Sequence, residues 1–188
     1  NPGSNAAGIN VGSLAGDPGT PSNGDLWYDS TANELTARIN GANVALIGTP
    51  VFVCARVYHN GADQTAVADP GTALLFDSEL FDTDGFHSTS SNTSRLTVPA
   101  GKGGKYLIGG GFYATANCDA ILKLNGTTRI AFGRAGTGAS TVISYTVDTL
   151  YPLAAGDYVE LIAIAPNIPV IKDTAAPSPY FWIALQGT

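Results

Sequence analysis

Hydrophobic residues beyond residue 49 fall in short runs separated by turn residues, and no run keeps the spacing of a helix. A helix packed on a core would show apolar residues at i, i+3, i+4 and i+7 between capping residues, and no segment does. The runs are instead rich in β-branched and aromatic residues. They cover residues 51–58, 95–98, 105–115, 119–124, 127–133, 140–150, 157–164 and 180–185. This pattern predicts an all-β domain, either an antiparallel β-sandwich or a barrel.

The run at 180–185 has apolar side chains on both of its faces. Its odd-numbered positions are Phe, Ile and Leu, and its even-numbered positions are Tyr, Trp and Ala. Successive side chains of a strand point to opposite sides of the sheet, so one face can line the core while the other needs a cover. A partner subunit would supply that cover, and the alternative is a monomer with a half-exposed tryptophan. The residues expected at the subunit interface are Tyr180, Phe181, Trp182, Ile183 and Leu185.

The first 48 residues differ in composition from the rest. Residues 1–23 contain almost no large side chains, so alone they cannot offset the entropy of ordering, and an extended stem or anchor is expected. Residues 24–48 hold two short strand-forming runs around the turn Asp29–Asn33, then the tight-turn pair Asn40-Gly41, which predicts a small β-hairpin module. A ribbon of this size needs a neighbour, either the domain at 49–188 or copies of itself. The anchor candidates are Leu14, Leu26, Trp27 and Tyr28.

Composition narrows the classes of function. Only 13% of the 188 residues are charged, about half the usual share, which fits strands better than surface helices. The net charge of −6 and the lack of any run of three basic residues argue against nucleic acid as a partner. No apolar stretch is long enough, and free enough of Gly and Pro, for insertion into a membrane. Since the sequence contains no Met even at position 1, a processed product or a fragment is expected.

Residues with catalytic or metal-binding chemistry are few. His59 and His87 are the only histidines, no Cys-x-x-Cys accompanies them, and no Gly-x-Ser-x-Gly nucleophile motif occurs. We therefore expect no enzyme activity, no catalytic residue and no cofactor. Asp82 and Asp84 match part of a calcium loop whose later acidic ligands are missing, and the alternative is an aspartate-stabilised turn.

Cys54 and Cys118 are the only cysteines, too few for a disulfide framework. Both lie in apolar, strand-like runs, where a free thiol packs as a small hydrophobic side chain. Two buried free cysteines are therefore expected, and the alternative is a single disulfide if the fold brings them together.

A series of short motifs runs through residues 50–188 in a fixed order. The segments are Thr72–Asp77, Gly85-Phe86, Leu96–Pro99 followed by Gly104–Ile108, Leu122–Gly126, Leu150–Leu161 and Ser178–Leu185. In composition and order they resemble the globular C1q/tumour-necrosis-factor-like family. The resemblance implies a ten-strand jelly-roll β-sandwich that assembles as a compact homotrimer. The sequence departs from the family pattern by an insertion around Ala100–Gly103 and by Phe181-Trp182 where Ser and Gly are usual.

The segment Gly24–Gly41 resembles short hairpin modules of bacteriophage tail-fibre and virion surface proteins, through its Gly-Asp-x-Trp-Tyr and Arg-x-x-Gly sequences. Together with the resemblance of the following domain, it implies a non-enzymatic protein of the virion surface. Tail fibre, head fibre and capsid decoration protein remain open, and a structural protein of a bacterial spore or cell surface is the alternative. The implied partners are further copies of the chain, other virion proteins bound through the stem, and a host glycan or protein.

Four loops of the predicted sandwich are candidates for receptor contacts, because exposed loops on a rigid scaffold commonly carry binding residues. These loops are Asn60–Pro70, Thr83–Asn92, Ala135–Ser140 and Asn167–Pro177. Their candidate contact residues are Asp63, Gln64, His87, Asn92, Asn167 and Lys172. The alternative for each loop is a simple connector between strands.

Overall fold

Strands make up the regular structure of the described part of the chain. The computed structural model describes residues 11–47, 52–134, 142–166, 168–171 and 178–187, and within these ranges it has sixteen strands and no helix. The all-β fold class is therefore confirmed. The chain divides into two compact units, Asn1–Val51 and Phe52–Thr188, which we call the ribbon unit and the head.

The ribbon unit contains one sheet of four strands in the order β1-β2-β3-β4. Its strands are β1 (Ser13–Leu14), β2 (Leu26–Asp29), β3 (Glu34–Ile39) and β4 (Ala42–Ile47). β1 runs parallel to β2, so part of the segment expected as an extended stem joins the sheet of the hairpin. Asn40 and Gly41 have φ angles of 49° and 77°, which gives the tight turn that the Asn-Gly pair predicts between β3 and β4.

The described residues of the head form twelve strands, and all pairs between these strands are antiparallel. They are β5 (Cys54–Tyr58), β6 (Gln64–Ala66), β7 (Thr72–Ala73), β8 (Ser78–Asp82), β9 (Arg95–Thr97), β10 (Gly104–Ala114), β11 (Asp119–Leu124), β12 (Thr128–Arg134), β13 (Ile143–Leu153), β14 (Tyr158–Ile164), β15 (Ile168–Ile171) and β16 (Tyr180–Gly187). The first sheet has the order β6-β15-β10-β16-β5-β8, with β13 also paired to β10. The second sheet has the order β12-β11-β14-β7, with β9 also paired to β14.

Each run that the hydrophobic pattern marks in the head overlaps one of these strands. The structure adds four short strands that the pattern does not predict, namely β6, β7, β8 and β15. All four are two to five residues long, so they lack the long alternation that makes a strand visible in a sequence. β6, β7 and β8 lie at sheet ends, and β15 lies between β6 and β10.

The core of the head lies between the two sheets and is built around aromatic rings. Phe112 stacks on Tyr145 with ring centroids 5.3 Å apart, and Phe76 lies 5.6 Å from Phe181. The Tyr145 hydroxyl accepts a hydrogen bond from the Cys118 amide at 2.9 Å and donates one to the carbonyl of Ala116 at 3.1 Å, so its polar end is satisfied inside the sandwich.

Three of the residues expected at a subunit interface belong to this core. Phe181 and Ile183 are 0% exposed within the head, and Leu185 packs against the same cluster. Because side chains alternate along β16, only Tyr180 and Trp182 of the five candidates lie on its outer side. The assignment of Phe181 and Ile183 to a subunit interface is therefore wrong, whereas that of the half-buried Leu185 stays a prediction.

Candidate functional site

The outer side of the first sheet carries a set of aromatic and apolar side chains that we call the aromatic face. In β16 and β10 these side chains alternate with buried core residues, and the strand registers extend the face across β5 and β13. The residues of the aromatic face are Arg56, Tyr58, Leu107, Gly109, Gly111, Asp148, Leu150, Tyr180 and Trp182.

Two glycines of β10 make the aromatic face flat. A Cβ atom built on Gly109 would lie 2.6 Å from Cζ2 of Trp182, and one on Gly111 would lie 2.9 Å from the hydroxyl of Tyr180. The indole and the phenol therefore lie directly on the glycine backbone of the neighbouring strand, where any larger residue would push them away. The Arg56 guanidinium lies 4.9 Å from the centroid of the Tyr180 ring and continues the layer onto β5.

The margins of the aromatic face are apolar and accessible. Leu150 on β13 is 59% exposed, and Phe81 on β8, which pairs with Arg56, is 44% exposed. The charged residues Arg56 and Asp148 stand on different strands of the face, with β16 and β10 between them. An accessible surface with large apolar groups and opposite charges at its two sides can take another protein surface.

The outer side of the second sheet is covered differently, by a segment of the same chain that we call the strap, residues 67–71. Val67 forms a parallel bridge with Ile164, and its carbonyl accepts a hydrogen bond from the Ala165 amide at 3.0 Å. A Cβ atom built on Gly71 would lie 2.6 Å from both Ile162 and Ile164, so the strap backbone rests on these side chains. The Lys123 ammonium donates to the carbonyl of Pro70 at 3.0 Å, which fixes the other side of the strap.

A groove of about 490 Å³ opens beside the strap. It is lined by Ala68, Asp69, Asn117, Cys118, Asp119, Arg134, Ile164, Ala165 and Pro166. Arg134 donates from Nε and Nη2 to the two oxygens of Asp119 at 2.6 and 2.7 Å, and this pairing raises the pKa of the guanidinium. The arrangement fixes a donor group and an acceptor group at one wall of an otherwise mostly apolar groove.

The receptor-contact candidates of the head do not gather at one place. Gln64 is tied to the backbone of Leu75, donating to its carbonyl at 2.9 Å and accepting from its amide at 2.8 Å, so it holds two segments together. Asn92 has a φ angle of 51° and forms part of a turn, whereas Asp63 is exposed. Asn167, Lys172 and the loop at 135–140 lie outside the described residues.

His87 is buried, so its assignment as a receptor contact is wrong. Its side chain is inaccessible, with Nδ1 2.9 Å from a carboxylate oxygen of Glu79 and Nε2 3.2 Å from the carbonyl oxygen of Thr93. Both neighbouring oxygens can accept a hydrogen bond from a ring N–H group. The imidazole links β8 to the loop before β9 instead of facing solvent.

Asp82 and Asp84, the calcium candidates, have other partners. The carboxylate of Asp82 accepts hydrogen bonds from the backbone amides of Asp84, Gly85, Phe86 and His87 at 2.9–3.3 Å. Asp84 lies 2.7 Å from the Lys102 ammonium, whose hydrogen bond is the main cause that lowers the pKa of this carboxyl. A carboxylate surrounded by N–H groups stabilises a turn, so these contacts fit the aspartate-stabilised turn given above as the alternative to a calcium loop.

The two cysteines are free thiols, Cys118 buried and Cys54 half-buried. Burial raises the pKa of Cys118 to about 11, with a smaller contribution from Asp119, and burial also raises the pKa of Cys54. Thiols in this state are poor nucleophiles and poor metal ligands. Within the residues that the structure describes, no three His, Cys, Asp or Glu side chains are grouped to share a metal ion.

The anchor candidates of the ribbon unit divide into two kinds. Leu14 and Leu26 are exposed, whereas Trp27 is buried and Tyr28 is half-buried with its hydroxyl bonded to Asn33. Trp27 is therefore part of the unit's own small core and cannot serve as a contact to another protein. Sequence inspection missed further exposed apolar residues on the neighbouring strands, which are Ile39, Val44 and Leu46.

Comparisons with known proteins identify the fold of the head. A scan of protein-family models finds no match to the chain, and neither does a search of curated protein sequences. Among solved structures, the globular domain of zebrafish complement 1qA protein matches with a TM-score of 0.54 and 14% identity, over 71% of this chain and 96% of that one.

Two proteins of the tumour necrosis factor type match equally well. Eiger TNF from S. frugiperda has a TM-score of 0.54 and 12% identity over 73% of this chain and 94% of that one. Murine APRIL has a TM-score of 0.54 and 9% identity over 72% of this chain and 99% of that one. These matches show that the head is a C1q/TNF-like jelly-roll β-sandwich, as the order of its sequence motifs implies.

None of the described residues belongs to a helix long and apolar enough to cross a membrane.

Proposed function

We propose that this chain is a non-enzymatic, homotrimeric surface protein of a virion, a fibre or a decoration protein whose head attaches to a host surface or to the capsid lattice. The observation that carries this proposal is the aromatic face, an accessible apolar surface on the outer side of a sheet whose inner side already lines the core. Antiparallel sheets commonly leave one side to water and fill it with polar residues, so an aromatic outer side calls for a protein cover.

A trimer covers this face economically. A contact in which one side of the face meets the other side on the next copy is heterologous, and three such contacts close a ring. Arg56 and Asp148 stand at different sides of the face and carry opposite charges, so this closure brings a cation of one copy toward a carboxylate of the next. Repeating the head three times also multiplies a weak attachment by avidity, which suits a repetitive target.

The ribbon unit has the features of an anchor. Leu14, Leu26, Ile39, Val44 and Leu46 are large apolar residues exposed on a unit of about fifty residues. A sheet this small cannot bury them by itself, so either a second ribbon unit or another virion protein is expected to cover them.

Light scattering on the full chain tests the trimer. We expect a mass three times the 19.2 kDa of one chain. Leu150→Glu and Phe132→Glu form a matched pair, because these residues are 59% and 50% exposed on opposite outer sides of the head. Leu150→Glu should dissociate the trimer while Phe132→Glu leaves it intact. A monomeric wild-type chain, or two variants that behave alike, would contradict the proposed assembly.

A second experiment separates the attachment targets. A decoration protein should cosediment with purified capsids, and exchange of Leu26 and Val44 for Glu should abolish this through the ribbon unit. A fibre should instead bind host cells and compete with infection. A trimer that does neither, but is incorporated in a spore coat, would favour the alternative of a bacterial spore- or cell-surface structural protein.

A further inference from the structure

The groove beside the strap has a composition that neither the core nor the aromatic face shares. Its floor is apolar, formed by Ala68, Ile164, Ala165 and Pro166, with the buried Cys118 at its base. A volume of about 490 Å³ lies within the range of ordinary small-ligand sites. Its walls carry polar groups from three separate parts of the chain, so the groove is built by the tertiary fold rather than by one loop.

Those polar groups include both acceptors and donors. Asp69 comes from the strap, Asn117 from the segment before β11, and Asp119 faces Arg134 across the β11–β12 pair. Arg134 donates to Asp119 from Nε and Nη2, and its planar guanidinium carries five N–H donors in all. The wall therefore presents carboxylate acceptors, an amide that can donate or accept, and an oriented cationic donor within one groove.

An accessible aromatic ring stands next to the polar wall. Phe132 is 50% exposed and lies two positions before Arg134 on β12, so both side chains are on the outer side of the second sheet. The Arg134 guanidinium lies 5.4 Å from the centroid of this ring, and the Arg129 guanidinium lies 6.0 Å from it. Phe132 therefore lies beside Arg134, which lines the groove.

We propose that this groove, together with Phe132 beside Arg134, binds a neutral saccharide, and that the head attaches to its target through it; the inference rests on the attachment role proposed above. Sugar hydroxyls donate and accept at once, so they match a wall that carries both donors and acceptors. The apolar C–H side of a pyranose ring matches an exposed aromatic ring and an apolar floor. The charged residues that line the groove, Asp69, Asp119 and Arg134, include both signs.

The same charges select against an anionic ligand. Asp69 and Asp119 both line the groove, so a carboxylate or sulfate would meet two like charges there. Arg134 already holds a bidentate carboxylate and would have to give it up to bind another. Sialylated and sulfated glycans are therefore expected not to bind this groove, and they serve as negative controls.

The test applies the full chain to a glycan array that carries neutral oligosaccharides of hexoses and N-acetylhexosamines beside sialylated and sulfated ones. Calorimetry with the best neutral ligand then compares variants. Phe132→Ala should weaken binding by about tenfold, because it removes the apolar contact with the sugar ring. Asp119→Asn should weaken it as well, and Phe132→Leu, which keeps a large side chain, should weaken it less than Phe132→Ala.

Phe52→Ala is the control, because Phe52 is an exposed phenylalanine of the head, 74% accessible, that belongs neither to the groove nor to the aromatic face. It should leave the affinity unchanged within about twofold. Failure of the array to show any neutral ligand, binding to anionic glycans only, or equal loss in the Phe52 and Phe132 variants would each overturn the proposal.

The results that would overturn saccharide binding in the groove differ from those that would overturn the proposed function. A trimer that binds cells or capsids equally well with Phe132→Ala would overturn the groove while leaving the attachment role intact. If the chain is monomeric, binds a saccharide and loses that binding in Phe132→Ala, the result would support the saccharide site and contradict the proposed trimer.

Discussion

The two outer sides of the head differ in how their apolar residues are covered. On the second sheet, Ile121 and Ile162 face outward and are nevertheless buried, because the strap of the same chain and the neighbouring Phe132 lie against them. On the first sheet, Tyr180 and Trp182 lie on glycines and remain partly accessible, with exposed Leu150 nearby.

The difference also extends to charge. The second sheet pairs its outward charges locally, with Arg134 on Asp119 and Arg95 3.5 Å from Glu160. The aromatic face keeps Arg56 on a tyrosine ring and Asp148 on another strand. One side of the sandwich is thus largely completed by its own chain, and the other has the composition of a surface that is completed by a second copy. The same core can therefore support a ligand site on one side and an assembly surface on the other.

The largest effect is expected from a pair of neighbours on β16. Phe181→Ala should lower the free energy of unfolding by about 3–5 kcal/mol, because it empties a ring-sized space in the core beside Phe76. Trp182→Ala, one residue away on the aromatic face, should instead act through assembly. Urea unfolding at several protein concentrations separates the two, because only the effect of an assembly residue varies with concentration.

The comparison would be contradicted if Trp182→Ala lowered the free energy of unfolding equally at all protein concentrations. That result would show that the indole stabilises the single protomer and not the assembly. Phe181→Leu serves as a check on the core side. It should recover much of the lost stability, since it refills part of the same space.

A smaller effect is expected at the strap. Gly71 and Gly85 both have positive φ angles, 88° and 81°, so replacement by Ala strains both backbones alike. Only Gly71 has close neighbours, because its added Cβ would lie 2.6 Å from Ile162 and from Ile164. Gly71→Ala should therefore cost about 1–3 kcal/mol more than Gly85→Ala in thermal or urea unfolding. Equal costs would show that the strap does not press on the second sheet.

The smallest effect is expected from the single lysine that ties the strap. Lys123→Met keeps the apolar stem but removes the donor to the Pro70 carbonyl, a loss of about 1 kcal/mol or less. Hydrogen exchange of the Ala165 amide, which bonds to Val67 in the strap, should become up to about fivefold faster through local opening. Lys105→Met on the first sheet is the matched control and should leave that amide unchanged. Equal exchange rates of the Ala165 amide in both variants would show that the Lys123 hydrogen bond does not hold the strap in place.

Much of the fold can be predicted from the sequence, because the long strands show clear alternation of side chains and are bounded by clear turn residues. The run at 180–185 also predicts two apolar faces for β16, and both exist. Alternation alone does not tell which face is the core, and for that reason Phe181 and Ile183 were assigned to an interface that they cannot reach. Burial depends on which strands β16 joins, and that is a property of the whole sheet.

The candidate sites were harder to predict because they depend on register and on short strands. A two-residue turn at Asn125-Gly126 would place Asp119 opposite Phe132. In the structure Thr127 joins the turn and a bulge follows Leu122, which moves Asp119 opposite Arg134 and creates the wall of the groove.

His87 illustrates the same limit on the loop side. It begins the polar segment His-Ser-Thr-Ser-Ser-Asn, which is typical of an exposed loop. Its burial depends on Glu79 of β8, a strand that the hydrophobic pattern does not predict.

The position of β16 has a consequence for how the head is made. This strand lies between β5 and β10, so the strand that follows all others of the head along the chain occupies the middle of its sheet. Until it is synthesised, β5 and β10 have unpaired edges that can recruit strands from other chains. Folding must therefore wait for the most distant contact in the head, which makes it slow and cooperative, and makes nascent or C-terminally shortened heads prone to aggregate.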